Sequence, residues 1–246
     1  SPDARALVAS DEVRATLADL RASARVDYER VMTLKHRVLR AAHGAWQREQ
    51  KSPRRRAYER YLAEQGEQLD RFATYLALDE HFHAQGKPDG FRSWPEEYRS
   101  ATSSAVRRFA ESHADDVDYH RWLQFELDAQ LADAASRAAD AGMAIGLYQD
   151  LAIGTSPTSS DVWSYPDLFV QGASIGAPPD PYSATGQNWG LPPLDPRKLE
   201  DDRYAYWISI VRACLPHGGA LRIDHVMGLF RQFWIPEGKT GKEGTY

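Results

Sequence analysis

Three ionisable residues interrupt one short apolar run. In GALRIDHVM, residues 219–227, Arg222, Asp224 and His225 sit within the stretch from Ala220 to Val226. Buried charges are costly unless they are paired or used. Read as a strand, the run alternates. Ala220, Arg222 and Asp224 share one face, while Leu221, Ile223 and His225 share the other. The apolar pair suits packing against helices. Arg222 and Asp224 then face the opposite way together, with Asp224 near the strand's C-terminal end. A fixed guanidinium favours the ionised form of a neighbouring carboxylate. An ionised, positioned aspartate is what a nucleophile in glycosidic bond cleavage requires. The same residues also satisfy a simpler role, a structural Arg–Asp pair bridging a sheet.

A second stretch repeats the arrangement. MAIGLYQDL, residues 143–151, reads as a short buried strand in which Tyr148 and Asp150 share a face. Two neighbouring parallel strands that each end in aspartate would make a carboxylate-lined pocket. Between them lies GAPPDPYSATGQNWGLPP, residues 176–193, which combines Tyr182 and Trp189 with Ser183, Gln187 and Asn188. Flat aromatic faces with amide and hydroxyl hydrogen-bonders suit a sugar, whose faces are C–H rich and whose edges are hydroxyls. An ordered surface loop with a buried tryptophan is the alternative. SSDVWSYPDLF, residues 159–169, adds Asp161 and Trp163. A capped turn with a packed tryptophan accounts for them as well.

These groups must be held by elements the pattern foretells. Up to about residue 115 the chain reads as helices. Apolar residues recur at three and four from Asp11 to Glu49, with Ser10 or Asp11 as caps. QKSPRRR breaks the pattern, and the basic run at 51–56 reads as a solvated loop. A second helix runs from about Arg55 to His83, and SWPEEYRS opens a shorter one with Pro95 in its first turn. A long helix over 118–142 stops at Gly142. Residues 152–198, rich in Pro, Gly, Ser and Asp, read as a long irregular loop, and 201–215 as a helix. Strand, loop, helix, strand is a βαβ unit with parallel strands. The long loop then lies at the strands' carboxyl end, the functional end of parallel α/β folds.

Composition excludes several classes. The 246 residues carry a net charge of −5, so no basic field invites nucleic acid or an anionic membrane. No run approaches about 20 apolar residues, and the N-terminus lacks signal-peptide features. A single cysteine, Cys214, precludes an internal disulfide and reads as a buried, inert thiol in a reducing, cytoplasmic setting. The histidines of DEHFH, residues 79–83, are two apart and leave different helix faces, so no metal site is expected.

Taken in order, GLYQDL, SSDVW, GAPPDPYSATGQNWGLPP, GALRIDHVM and FWIPEG resemble the 4-α-glucanotransferases, the amylomaltases or disproportionating enzymes of glycoside hydrolase family 77. The helices VDYERVMTLKHRVL and YHRWLQFELDAQL are similar to that family too. The resemblance spans roughly 26–246. It implies a (β/α)8 TIM barrel of the α-amylase clan with helical insertions. Residues 1–115 would be the inserted helical subdomain, and 116–246 part of the barrel, about strands three and four. It implies transfer of α-1,4-glucan segments between maltooligosaccharides by a retaining double displacement, with no cofactor and no metal. By position, Asp224 resembles the nucleophile and Arg222 the arginine that orients it. Asp150 resembles a substrate-binding aspartate. Tyr182, Ser183, Gln187 and Trp189 match the substrate loop, with Asp161, Trp163, Asp180 and His225 as further substrate-side residues. Gln149 stands where the family usually has glycine. Retention also takes a general acid/base about 5–5.5 Å from the nucleophile. In the family that glutamate lies on a later strand, and Glu237 is too close in sequence to Asp224 to be it. The resemblance therefore implies a central fragment of a longer enzyme. A retaining α-glucan hydrolase and a non-catalytic glucan-binding module are the alternatives.

Overall fold

A computed structural model describes residues 1–49 and 51–246. Six helices come first: α1 (Pro2–Ala9), α2 (Asp11–Ala22), α3 (Tyr28–Arg48), α4 (Pro53–His83), α5 (Ser104–Ser112) and α6 (Ala114–Asp140). The expected helix from Asp11 to Glu49 is divided in two. Ser10 caps α2 by accepting from the Val13 N–H, and Asp27 caps α3 by accepting from the Arg30 N–H. Each such cap satisfies an amide that has no intrahelical partner. The basic run is likewise corrected. Ser52 caps α4 and Pro53 opens it, so Arg54, Arg55 and Arg56 form its first turn rather than a loop. Gly66 takes φ 56°, ψ −141°, which breaks α4 in two. SWPEEYRS forms only a 3-10 turn, and the helix proper begins at Ser104.

α6 ends as the sequence foretells. Gly142 takes φ 78°, its N–H donates to the Ala139 carbonyl, and the Met143 N–H donates to that of Ala138. This is the Schellman pattern, which only a residue tolerant of left-handed backbone completes without strain. Residue 115 lies in the first turn of α6, and α6 packs along α4. α6 runs on to Asp140, and the first strand follows at Tyr148.

The remainder is mixed. It contains β1 (Tyr148–Leu151), α7 (Ser160–Ser164), β2 (Ala173–Ala177), β3 (Gln187–Leu191), α8 (Pro196–Asp201), α9 (Ala205–Cys214), β4 (Ala220–Ile223) and β5 (Phe233–Pro236). β1 and β4 pair in parallel, with Asp150 opposite Arg222, as the βαβ pattern requires. Gly219 permits the approach to β4. A Cβ there would lie 1.5 Å from the Ile145 carbonyl oxygen. The expected irregular loop is corrected: β2 and β3 fall inside it and join β5 in an antiparallel sheet of order β3-β2-β5. The expected strand through Val226 is shorter. It stops at Ile223, and a 3-10 turn covers Val226–Leu229. Cys214 is part-exposed in the last turn of α9, not buried. No helix among the described residues is long and apolar enough to cross a membrane.

Three apolar clusters hold the layers. One joins α4, α5 and α6 around Leu78, Trp94, Phe109 and Val117, and Trp163 of α7 is set into it. A second packs Trp46, Tyr58, Tyr119, Trp122 and Phe125. A third gathers Val162, Leu168, Phe169, Leu199 and Tyr206 between α7, α8 and α9.

Candidate active site

Arg222 is the centre of the site. The parallel register sets it directly across from Asp150. Its Nη1 donates to both carboxylate oxygens of Asp150, at 2.7 and 2.6 Å, and its Nη2 donates to Asp224 Oδ1 at 2.7 Å. One planar guanidinium thus holds the terminal carboxylates of two neighbouring strands. Hydrogen bonding to Asp150, and then the charges of Asp150 and Asp224, push the Arg222 pKa up. Arg222 and Asp224 were expected together. The link to Asp150 follows from register, which alternation within a single strand cannot reveal.

The environment differs from the buried one the sequence implied. The side chains of Asp150, Arg222 and Asp224 are 57%, 51% and 43% exposed. They stand on an open face of the β1–β4 pair, while Leu151 beneath is buried. Asp224 lies one residue past β4. Its N–H still donates to the Leu151 carbonyl at 3.1 Å, extending the ladder and fixing the carboxylate at the strand tip. His225 then turns into left-handed backbone, φ 47°.

The loop 178–186 is braced from inside. Asp180 Oδ1 accepts from the N–H groups of Tyr182 and Ser183, at 2.8 and 2.6 Å, and the Ser183 hydroxyl donates to the Gly186 carbonyl. These local bonds replace a regular ladder. They leave Tyr182 fully exposed at the tip. Trp189 donates its indole N–H to Gln187 Oε1 at 3.0 Å, and its ring meets His225 edge-on with centroids 5.2 Å apart. So Trp189 and His225 touch, and His225 adjoins Asp224 in the chain. Asp180 and Ser183 act within the loop's own backbone.

Asp161 and Trp163 are placed apart from these groups. Trp163 is 1% exposed, its N–H donates to the Tyr98 carbonyl, and its ring meets Tyr75 and Trp94. It is packed within the helical core. Asp161 lines a cavity of about 160 Å³ at the end of β1, with Leu151, Thr155, Tyr206, Trp207 and Gln232. Burial pushes its carboxyl pKa up, against a lowering hydrogen bond from Thr155. Gln232 and Thr155 carry no local signal in the chain, since the cavity is made by tertiary packing alone.

The chain is similar to known proteins along most of its length. The family model described as 4-alpha-glucanotransferase, glycoside hydrolase family 77, matches residues 3–246. A 4-alpha-glucanotransferase of Mycobacterium tuberculosis is 42% identical over 215 residues, covering 87% of this chain and 28% of that protein. Another, from Haemophilus influenzae, is 37% identical over 243 residues, covering 96% and 35%. Among solved structures, amylomaltase from Corynebacterium glutamicum superimposes with a TM-score of 0.69 at 34% identity, over 87% of this chain and 27% of that one. The amylomaltase of Streptococcus agalactiae, solved in complex with acarbose, reaches 0.77 at 24% identity, over 89% and 44%, a likeness of fold. The chain thus spans about a third of the length of these curated relatives. On the family match and these identities, the chain belongs to the 4-alpha-glucanotransferase family, glycoside hydrolase family 77.

Proposed function

We propose that this chain carries the nucleophile and part of the glucan site of a 4-α-glucanotransferase. In this reading Asp224 attacks the anomeric carbon of an α-1,4-linked glucan and breaks its bond to the leaving glucan, whose 4-oxygen takes a proton from a second carboxyl. The covalent glucosyl-enzyme then breaks as the 4-hydroxyl of an acceptor, giving its proton to that carboxyl, takes the glucosyl group from Asp224. Arg222 orients the nucleophile and Asp150 binds sugar hydroxyls. Tyr182, Ser183, Gln187 and Trp189 line the sugar path, with Asp161, Asp180 and His225 behind them. Packing keeps Trp163 out of that set. The observation that carries the reading is the Arg222 fork, which holds the carboxylates of Asp150 and Asp224 on two neighbouring strands. The parallel β1–β4 pair is then a segment of a (β/α)8 barrel, with residues 1–115 as the insertion beside it. No cofactor has a role in this chemistry. The single cysteine fits a reducing, cytoplasmic setting.

Retention takes a second carboxyl about 5–5.5 Å from the nucleophile, acting as acid and then base. Asp150 is tied to Arg222 and is assigned to binding, so full turnover is proposed for the length that the relatives have, and glucan binding for this chain. Two alternatives differ in outcome. A retaining hydrolase would pass the glucan to water, and a binding module would hold it unchanged. The 246-residue chain should bind maltoheptaose in calorimetry and leave it intact. An enzyme of the relatives' length carrying this chain should convert maltotriose into longer and shorter glucans, and Asp224→Asn should abolish trapping of the glucosyl-enzyme. Products that are only shorter would favour hydrolysis, and transfer retained by Asp224→Asn would exclude Asp224 as nucleophile.

A further inference from the structure

Three observations converge on His225, directly after Asp224. It is one of three non-glycine residues with positive φ among the described residues, at 47°, in backbone that L residues with a full side chain rarely adopt. Its imidazole Nε2 is buried with no hydrogen-bond partner among the described residues. Its ring meets the Trp189 indole edge-on, with centroids 5.2 Å apart and planes at 81°. Both a strained backbone and an unpaired buried nitrogen disfavour the conformation. The ring is therefore held by packing against Trp189 and not by a hydrogen bond.

Trp189 is tied in turn to the loop. Its N–H holds Gln187, and both belong to β3, which pairs with β2 on the far side of the 178–186 turn. On the other side, the Asp224 N–H is tied to Leu151 and its carboxylate to Arg222. The Trp189–His225 contact is thus the point where the antiparallel sheet's loop meets the strand tip that bears the carboxylate. The sequence separates the two rings by 36 positions, and nothing in the local pattern joins them.

We propose that His225 is a positioning residue, a joint that sets the aromatic loop at a fixed place relative to the Asp224 carboxylate. This rests on the reading of that loop as a glucan site. The joint works through the shape of the ring, because Nε2 is sealed from ligand as well as from water. A phenyl ring should serve as well as an imidazole, whereas a methyl group should not. Alanine keeps the Cβ but removes the ring, and His225→Phe restores a ring on the same backbone, so the two variants together separate ring from backbone.

The test uses the full chain as wild type, His225→Ala and His225→Phe. The indole N–H signal of Trp189, assigned through Trp189→Phe, is followed by NMR, and maltoheptaose affinity by calorimetry. His225→Ala should displace the indole signal and weaken binding by up to about tenfold, the range of one aromatic contact. His225→Phe should keep affinity within about twofold of wild type. A merely structural part would lower thermal stability in His225→Ala without moving affinity. An unchanged indole signal or affinity in His225→Ala overturns the joint, and so does His225→Phe failing as His225→Ala does, which would indicate a hydrogen-bonding histidine. Those failures leave wild-type binding intact. Absence of maltoheptaose binding in the wild type itself overturns the glucan reading and the joint with it.

Discussion

The ring of Tyr182 stands wholly in solvent on a turn that Asp180 and Ser183 hold rigid, while the indole of Trp163 is sealed between Tyr75 and Trp94. Both residues lie in aromatic, polar stretches, and type and spacing alone gave them the same use. What separates them is burial, a tertiary property. Tyr182→Ala removes no packed contact, so its stability should stay within about 0.5 kcal/mol of wild type. Its affinity for maltoheptaose should fall about five- to tenfold, as a lost stacking face requires. Trp163→Ala should cost about 3–5 kcal/mol, as large-to-small changes in cores do. Urea titrations of the two variants, with calorimetry on Tyr182→Ala, check this. A destabilised Tyr182→Ala or a stable Trp163→Ala would invert the assignment. Arg222 and Asp224 were legible for a different reason: charge in an apolar run is conspicuous in one dimension, although their exposure was not.

At the scale of elements, the parallel β1–β4 pair and the stop of α6 at Gly142 could be read because alternation and a left-handed glycine are local signals. β2 and β3 were hidden. Their segments hold Gly, Pro, Ser and Asn, and they become strands only when β2 pairs with β3 on one side and with Trp234 and its neighbours in β5 on the other. The helical layer has an equally non-local device. Glu80 of α4 receives Arg40 of α3 at 2.5 Å, with His36 of α3 at 3.5 Å and His120 of α6 at 3.4 Å. Arg40 also holds Asp116 at 2.8 Å, and the Tyr119 hydroxyl meets His36. Burial alone would push the Glu80 carboxyl up, but His120 and Arg40 outweigh it and hold its pKa at about 2, against an ordinary 4.5. A depressed carboxylate contributes stability above its unfolded pKa and loses it as pH falls through the folded one. The contribution should therefore be whole above about pH 4.5 and fade toward pH 2. Discounted for a side chain 37% exposed, it is on the order of 1–2 kcal/mol. Urea midpoints of wild type and Glu80→Gln at pH 6, 4 and 2.5 should converge as the pH falls. A constant gap would show that the ion pairs contribute nothing through titration.

The helical half and the half that bears the site are stabilised as one body. Val162 and Trp163 are adjacent in α7 yet enter different cores, Trp163 the helical one and Val162 the one shared with α8 and α9. Phe91 packs against both cores. Polar ties cross the same seam: the Tyr75 hydroxyl donates to the Thr158 carbonyl at 2.5 Å, Arg92 to Gln171 at 2.8 Å and Arg71 to the Ser164 carbonyl at 3.3 Å. Such interlocking means that neither half can open without exposing apolar surface of the other, which is the condition for a shared transition. Gly90 provides the test, because it takes φ 92° and a Cβ there would lie 2.6 Å from Thr158 Cβ. Gly90→Ala should pry at the seam and strain the backbone together, lowering stability by about 2 kcal/mol or more. Far-ultraviolet circular dichroism follows mainly the helices, and the indole signal of Trp189 follows the site. In wild type the two should report one urea midpoint, and in Gly90→Ala both should shift down together. Should the Trp189 signal collapse while the helices persist, the site-bearing half would be a separate unit, and the seam through α7 would be a contact between independent bodies.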